Sequence, residues 1–352
     1  MRKFDFVIGN PAYQAEAPGE STSDKPIYHM FIDESYKIGD VAEMITPARF
    51  LFNAGGTPKE WNKKMLESEH VKILLYEPNA KIIFPNTVFT GGVAVTYFNA
   101  KRKYKPIGAF IPYPELTTIK NRVLETNGFV PFSTIISGRT PYLFTETMHE
   151  ENPKAKESLS KGHWYDLSSN AFESLPEVFL PAVPENERNK YYRVLGRLNN
   201  ARSYLWIKRC FVRGRSNDYL YKWKVFLPKA NGASGMLGDE PARLISKPVV
   251  GSPEDIATDT FLCVGAYDTE QEAGNLLKYI NTKFARVMLG ILKITQDNTA
   301  EKWMCVPLQD YSSQSDIDWN TSIANIDRQL YKKYGLSQEE IDFIETHVKE
   351  MT

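Results

Sequence analysis

Cysteine is scarce in this chain, with three in 352 residues. Cys210, Cys263 and Cys305 are odd in number and far apart, and no histidine stands at ligand spacing from them, which excludes a disulfide framework and a thiolate metal site. They read as reduced core cysteines. The five histidines are scattered, and His163 beside Trp164 reads as a surface residue. Neither sign of charge prevails, because 43 basic residues face 43 acidic ones. A global electrostatic case for nucleic acid is therefore absent. No apolar run reaches the roughly 20 residues of a membrane span. The N-terminus has no signal-peptide pattern, so the expectation is a cytoplasmic protein with no membrane partner. No internal repeat or low-complexity tract is present, which removes the solenoid readings. The length leaves room for two domains.

What is present begins at Asp5–Tyr13, where a short apolar run stops abruptly at Gly9-Asn10-Pro11. That pattern predicts a buried parallel strand entering a loop. In open α/β sheets ligands sit beyond the carboxyl ends of the strands, so Asn10 and Tyr13 stand where chemistry is expected. The chemistry that suits them is methyl transfer to an exocyclic amino group. An aromatic amine is a poor nucleophile because its lone pair is delocalised into the ring. The side-chain oxygen of Asn10 and the carbonyl of Pro11 can accept both of its N–H hydrogens and so localise that lone pair. Pro11 fixes its own φ and biases Asn10 towards an extended backbone, which preorganises the acceptors. Tyr13 is placed to stack on a base taken out of a duplex.

The surrounding segments follow a recognisable order. Ile27–Ile38 has apolar residues at helical spacing, Val41–Leu51 reads as a strand stopped by Pro47, and Ile82–Phe98 reads as a hairpin leading into a long β run. Together these resemble the second half of an adenine-specific (N6) DNA methyltransferase of restriction–modification systems, type II or IIG-like. The resemblance covers Asn-Pro-x-Tyr, the following helix, the Ile-Thr-Pro-x-Arg-Phe strand end and the Phe-Pro…Val-x-Val hairpin. It implies catalytic roles for Asn10, Pro11 and Tyr13, with Tyr13 and Phe84 stacking on opposite faces of the base. It also implies S-adenosylmethionine as cofactor and double-stranded DNA as partner.

Two departures matter. Ala12 stands where the family usually has a second proline, which loosens the loop but keeps both acceptors. The Gly-rich strand-to-helix turn that holds S-adenosylmethionine in the family is missing, since only Met1–Phe4 precede Asp5 and no equivalent follows. Gly232-Ala-Ser-Gly235 lacks a preceding apolar strand, and Val264-Gly-Ala266 lacks a second glycine. The cofactor site is thus expected to be incomplete on this chain. The expected fold class is α/β: a partial Rossmann-like methyltransferase sheet lacking its first strands, with strands near 4–9, 41–46, 71–76 and through 83–98. Such a sheet keeps an open edge that invites pairing, so a chain or domain supplying the cofactor-binding half is an expected partner.

A run of positive charge and proline, Lys101–Pro106, closes the first segment. The expected divisions are a partial catalytic domain over 1–115, an α+β target-recognition domain over 116–312 and C-terminal helices over 313–352. Between residues 188 and 229 twelve Lys and Arg face the single acid Asp218, with aromatics interleaved. Locally clustered charge binds phosphates even when a whole chain is neutral. Arg209, Arg213, Arg215, Asn217, Lys222 and Lys224 are the candidate DNA contacts, with 213–218 read as a loop presenting Arg and Asn to base edges. The competing reading is a solvated basic face.

Thr269–Glu272 reads as a capping box opening a helix whose apolar stripe runs from Leu276 to Ile291. Trp303–Asp310 follows as a strand or extended closure. Ile317–Tyr334 and Ser337–Lys349 predict two terminal helices, the second with its own capping box, and their acids argue against DNA contact there. There is no nuclease signature of Pro-Asp followed by Glu-x-Lys. The sequence therefore predicts part of a site-specific adenine methyltransferase. The alternatives are a non-catalytic DNA-binding specificity module or truncated remnant, and, third, an interaction protein docking a partner through an open sheet edge.

Overall fold

The computed structural model describes residues 3–15, 25–52, 54–86, 91–108, 110–216, 218–231, 237–238, 240–293 and 296–351. Contacts divide the chain into two units, Met1–Pro114 and Glu115–Thr352.

The first unit runs β1 (Phe4–Gly9), β2 (Gln14–Ala15), β3 (Lys25–Pro26), α1 (Tyr28–Ile38), β4 (Gly39–Pro47), α2 (Lys59–Glu67), β5 (Val71–Glu77), α3 (Ala80–Ile83) and β6 (Val93–Asn99). Its main sheet has the order β1-β4-β6-β5. β1 and β4 are parallel and joined through α1, with Val7 opposite Ala42 and Gly9 opposite Met44. β6 is antiparallel to both β4 and β5. α1 buries Tyr28, Ile32 and Ser35, the i, i+4, i+7 face of a helix. It ends at Gly39, where a Cβ would lie 2.7 Å from Val7 Cγ2 and 2.9 Å from the Val41 carbonyl, so only glycine lets the chain turn so close to β1.

One face of this sheet is fully packed, and the other is only half-buried among the described residues. Ala42, Met44, Ala94 and Phe98 share a core with Tyr28 and Ile32 of α1 and Trp61 and Met65 of α2. The alternate residues Val41, Glu43, Ile45, Val95 and Tyr97 are only half-buried. On β1 the same alternation leaves Phe4, Phe6 and Ile8 exposed at 55%, 70% and 79%, which corrects the expectation of a buried strand. β1 is an edge strand among the described residues, and apolar edges of this kind template pairing. Replacing Phe6 and Ile8 with Lys is therefore expected to reduce self-association at micromolar concentration, read by sedimentation velocity, without lowering the melting temperature. A variant that associates as the wild type does would remove this edge as the sticky surface.

The hairpin expected through 83–98 is corrected in its first arm. Ile82 and Ile83 lie in the short helix α3, whose N-cap Asn79 accepts a hydrogen bond from the Lys81 N–H at 3.2 Å. Residues 87–90 are outside the described set.

The second unit, which α4 (Pro114–Leu124) opens, continues with β7 (Tyr142–Phe144), α5 (Glu146–Glu151), α6 (Ala155–Ser158) and α7 (Ala171–Ser174). β8 (Tyr191–Leu198), β9 (Ala201–Lys208), β10 (Val212–Gly214), α8 (Asp218–Tyr221) and β11 (Trp223–Pro228) follow. Then come β12 (Val249–Gly251), β13 (Asp255–Ala257), β14 (Phe261–Tyr267), α9 (Glu270–Asn281), α10 (Lys283–Gly290), α11 (Ile323–Lys333) and α12 (Gln338–His347). Small sheets β12-β11-β14, β13-β8-β9 and β10-β7 surround a core containing Tyr142, Phe172, Val194, Phe226 and Cys263.

The expected single helix over 270–291 is broken at Thr282, whose extended backbone and side chain cap α10. Buried Asp327 accepts the N–H groups of Lys283 and Phe284 at 3.1 and 2.9 Å, satisfying donors that a helix start leaves open. Trp303–Asp310 forms no strand; a single 3₁₀ turn at Ala300–Trp303 precedes an extended run bridged at Pro307 to Pro131. Thr269 and Ser337 are both helix N-caps, and at Ser337 the full reciprocal box with Glu340 forms, whereas at Thr269 the side chain accepts the Glu272 N–H. Cys263 and Cys305 are buried, but Cys210 is exposed, which corrects its reading as a core residue. Among the described residues no cluster of His, Cys, Asp and Glu could hold a metal ion, and no helix is long and apolar enough to cross a membrane.

Candidate functional site

Asn10 emerges directly from the carboxyl end of β1, exposed, with Pro11 half-buried behind it. Gly9 lets the strand end pass close over Met44, since a Cβ there would lie 3.3 Å from Met44 Cε. Tyr13 is half-buried against the core of the first unit, and its carbonyl accepts the Ile27 N–H at 3.0 Å. The start of α1 thereby fixes the far end of the tetrapeptide. Burial raises the Tyr13 pKa, so its hydroxyl keeps its proton at neutral pH.

The structure brings Phe84 to Tyr13. Their ring centroids are 6.3 Å apart with planes at 68°, an edge-on contact. Stacking a base between them requires one ring to turn towards parallel. These two residues are 71 positions apart in sequence, and α3 is what carries Phe84 back to the end of β1.

One residue of this region was not singled out by sequence. Arg49 follows the end of β4, the strand parallel to β1, in the 3₁₀ turn Ala48–Phe52. Its stem lies against Gly55 and Gly91, where a Cβ would come within 2.6 Å of it at either position, and both glycines have left-handed φ, +89° and +93°. The isolated glycines around the Pro-x-Arg-Phe stretch were the available signal. Because Gly55 and Gly91 close on Arg49, and Gly92 closes on the Glu77 carbonyl, these glycines do not form an open cradle for a nucleoside. Gly55, Gly91 and Gly92 therefore supply no S-adenosylmethionine cradle.

The candidate DNA contacts are dispersed by the fold. Arg209 donates to Glu254 at 2.9 Å and lies over the Tyr192 ring at 4.7 Å. Arg215 is spent on Thr140, donating to its carbonyl at 2.8 Å and to its hydroxyl at 3.1 Å. Lys222 pairs with Asp268 at 3.3 Å. Arg213 is exposed on β10 and makes no ion pair among the described residues. Asn217 lies outside the described residues. Lys224 is corrected outright: it is fully buried on β11 and offers no charge to a phosphate. Alternation along β11 was masked by its run of buried apolar neighbours, so no residue pattern showed which way Lys224 points.

Comparison with known proteins adds to this geometry. Residues 1–84 match the family described as Eco57I restriction-modification methylase. A comparison with curated proteins gives no match. Among solved structures, one described as the type IIG restriction endonuclease BpuSI is similar at 10% identity and a TM-score of 0.38, covering 98% of this chain and 54% of that one. Another, described as the type IIL restriction-modification enzyme MmeI in complex with DNA, is similar at 10% identity and a TM-score of 0.37, covering 97% and 56%. The chain spans about half the length of these solved structures. Asn10, Pro11 and Tyr13 all lie inside the segment that is similar to this restriction-modification methylase family.

Proposed function

We infer that this chain carries the base-binding side of a site-specific DNA adenine methyltransferase. The observation that carries the reading is the Asn10–Tyr13 tetrapeptide at the carboxyl end of a parallel strand, with Phe84 seated against Tyr13. The exposed Asn10 amide oxygen and the Pro11 carbonyl would accept the two N–H hydrogens of an extruded adenine, and Tyr13 and Phe84 would hold its faces. Stacking of that kind is worth about 1–3 kcal/mol per aromatic. No group with an unusual pKa is needed, because the amine sheds its proton as or after it is methylated. Arg49, past the end of the neighbouring strand, adds positive charge at the same end of the sheet.

The methyl donor would be S-adenosylmethionine, bound chiefly by a chain or domain that pairs with β1. The edge position of β1 among the described residues and the exposed Phe4, Phe6 and Ile8 support that arrangement. The second unit would read the DNA sequence. The same exposed edge also suits a non-catalytic specificity module that never meets a donor.

Calorimetric titration separates the two. The purified chain should bind duplex DNA but give no heat with S-adenosylmethionine, with or without duplex, until the donor-binding half is added. Donor binding by this chain alone would make it a self-sufficient enzyme. If donor binding never appears in any assembly, the specificity module is left. A chain that binds neither DNA nor donor loses the reading altogether.

A further inference from the structure

The second unit contains a cavity of about 590 Å³ walled by the β8–β9 hairpin, the chain just after β11 and the start of β14. Its charges are not balanced. Arg197 and Arg202 both line it, and they are cross-strand partners in the hairpin register. Like charges directly opposite one another in an antiparallel pair destabilise it. Neither guanidinium makes an ion pair among the described residues. Arg197 donates to the Asn200 side-chain oxygen at 3.0 Å, and Arg202 donates to the Lys247 carbonyl at 2.8 Å. Both acceptors are neutral, and each guanidinium keeps further donors.

The carboxylates of the cavity are already engaged. Glu173 accepts the Asn199 N–H at 3.0 Å. Asp259 accepts the Thr140 N–H at 2.9 Å and pairs with Lys229 and, at 3.7 Å, with Arg139. The arginine pair is also held in place. Asn199 and Asn200 form the hairpin turn with φ of 50° and 62°, a conformation asparagine tolerates better than most residues. Arg202 lies over the buried Phe261 ring with its carbon 5.4 Å from the centroid, which limits the freedom of its head group.

We propose that this cavity is a phosphate-binding site in which Arg197 and Arg202 grip one phosphate group between them. Two adjacent guanidinium forks that pair with no carboxylate are matched to a tetrahedral anion, and bidentate donation is the form Arg favours with phosphate. Resting on the DNA reading above, the phosphate would belong to a nucleic-acid backbone, and the contact would position the duplex without reading its sequence. This places backbone contact on the hairpin rather than on Arg213 and Arg215.

The test is the double variant Arg197→Gln/Arg202→Gln, with Arg213→Gln alongside. Binding of a mixed-sequence duplex would be followed by fluorescence anisotropy across a salt series, and binding of deoxyadenosine monophosphate and pyrophosphate by calorimetry. The double variant should lose about tenfold in duplex affinity, as expected when a charged hydrogen bond is removed. Its slope of log affinity against log salt should become shallower by about one, the change for one phosphate released. Its melting temperature should be equal or higher, because the like-charge pair is gone. Duplex affinity and slope unchanged, with small phosphates bound and then lost in the variant, would keep the phosphate site but assign it to a free nucleotide. A wild type that binds small phosphates but no duplex would sink the DNA reading and leave the site. Loss of neither ligand in the folded variant, or a wild type that binds none of the three, overturns the proposal.

Discussion

Asn10→Ala is expected to lower methyl transfer by about 10²–10³-fold, the usual cost of removing one preorganised group that stabilises charge in a transition state. The assembly assayed contains the donor-binding half, and the readout is labelled methyl incorporated into unmethylated plasmid DNA. The loss should fall on kcat more than on KM, because hydrogen bonds to the amine strengthen as positive charge builds on its nitrogen. Duplex affinity should be almost unchanged, since the exposed Asn10 side chain supports no other described contact. Asn10→Asp keeps an acceptor oxygen in place and should retain more activity than the alanine variant. If the alanine variant methylates as the wild type does, the amide is not the acceptor and the tetrapeptide is an ordinary turn.

Lys224→Met should stabilise the protein at pH 7 by about 2–3 kcal/mol. The Lys224 ammonium is fully buried, and its Nζ finds no hydrogen-bond partner among the described residues. The nearby carboxylate of Asp255 is already committed. It receives Arg193 through two bonds of 2.6 and 2.8 Å and the Ser252 N–H at 2.9 Å. What remains for Lys224 is the Phe226 ring, 6.0 Å away. Burial accordingly pulls its pKa down from 10.5 to about 8. An amine whose folded pKa lies below its unfolded value costs stability in full below the folded pKa. That cost fades as pH rises from about 8 to 10.5. A difference of this size corresponds to about 3 kcal/mol. The gain from Lys224→Met should therefore be largest at pH 7 and nearly vanish by the upper end of that window, as read by urea unfolding of both proteins. A variant less stable than the wild type at pH 7 would mean that the lysine is held by a favourable interaction.

Local signals in the sequence carried the beginnings of elements well. Thr269 and Ser337 are helix starts because a hydroxyl three residues before an acid satisfies open N–H groups whatever lies around it. The strand ending at Gly9 was legible for a similar reason, since a proline two residues on leaves little choice. Features set by distant partners were not legible. Thr282 breaks a continuous apolar stripe because a carboxylate 45 residues later, Asp327, takes the next two N–H groups. Phe84 could be assigned to the site only through the family resemblance, and it is α3, which the hairpin reading missed, that puts it against Tyr13. The basic run from 188 to 229 misled because charge counting has no direction. The same stretch holds Lys224 in the core, Arg215 tied to Thr140, and Arg197 and Arg202 on a cavity wall.

Among the described residues, the strand that delivers Asn10 is bonded to a neighbour on one side only. A half-bonded strand frays at low free-energy cost, and its amides should be among the first in the unit to exchange with solvent deuterium. On the proposed reading, whatever adds a strand beside β1 would quiet that fraying and set the two acceptor oxygens in register in the same event. Chemistry on the base would then be withheld until the second half of the sheet arrives, an interlock that keeps an unassembled chain from modifying DNA.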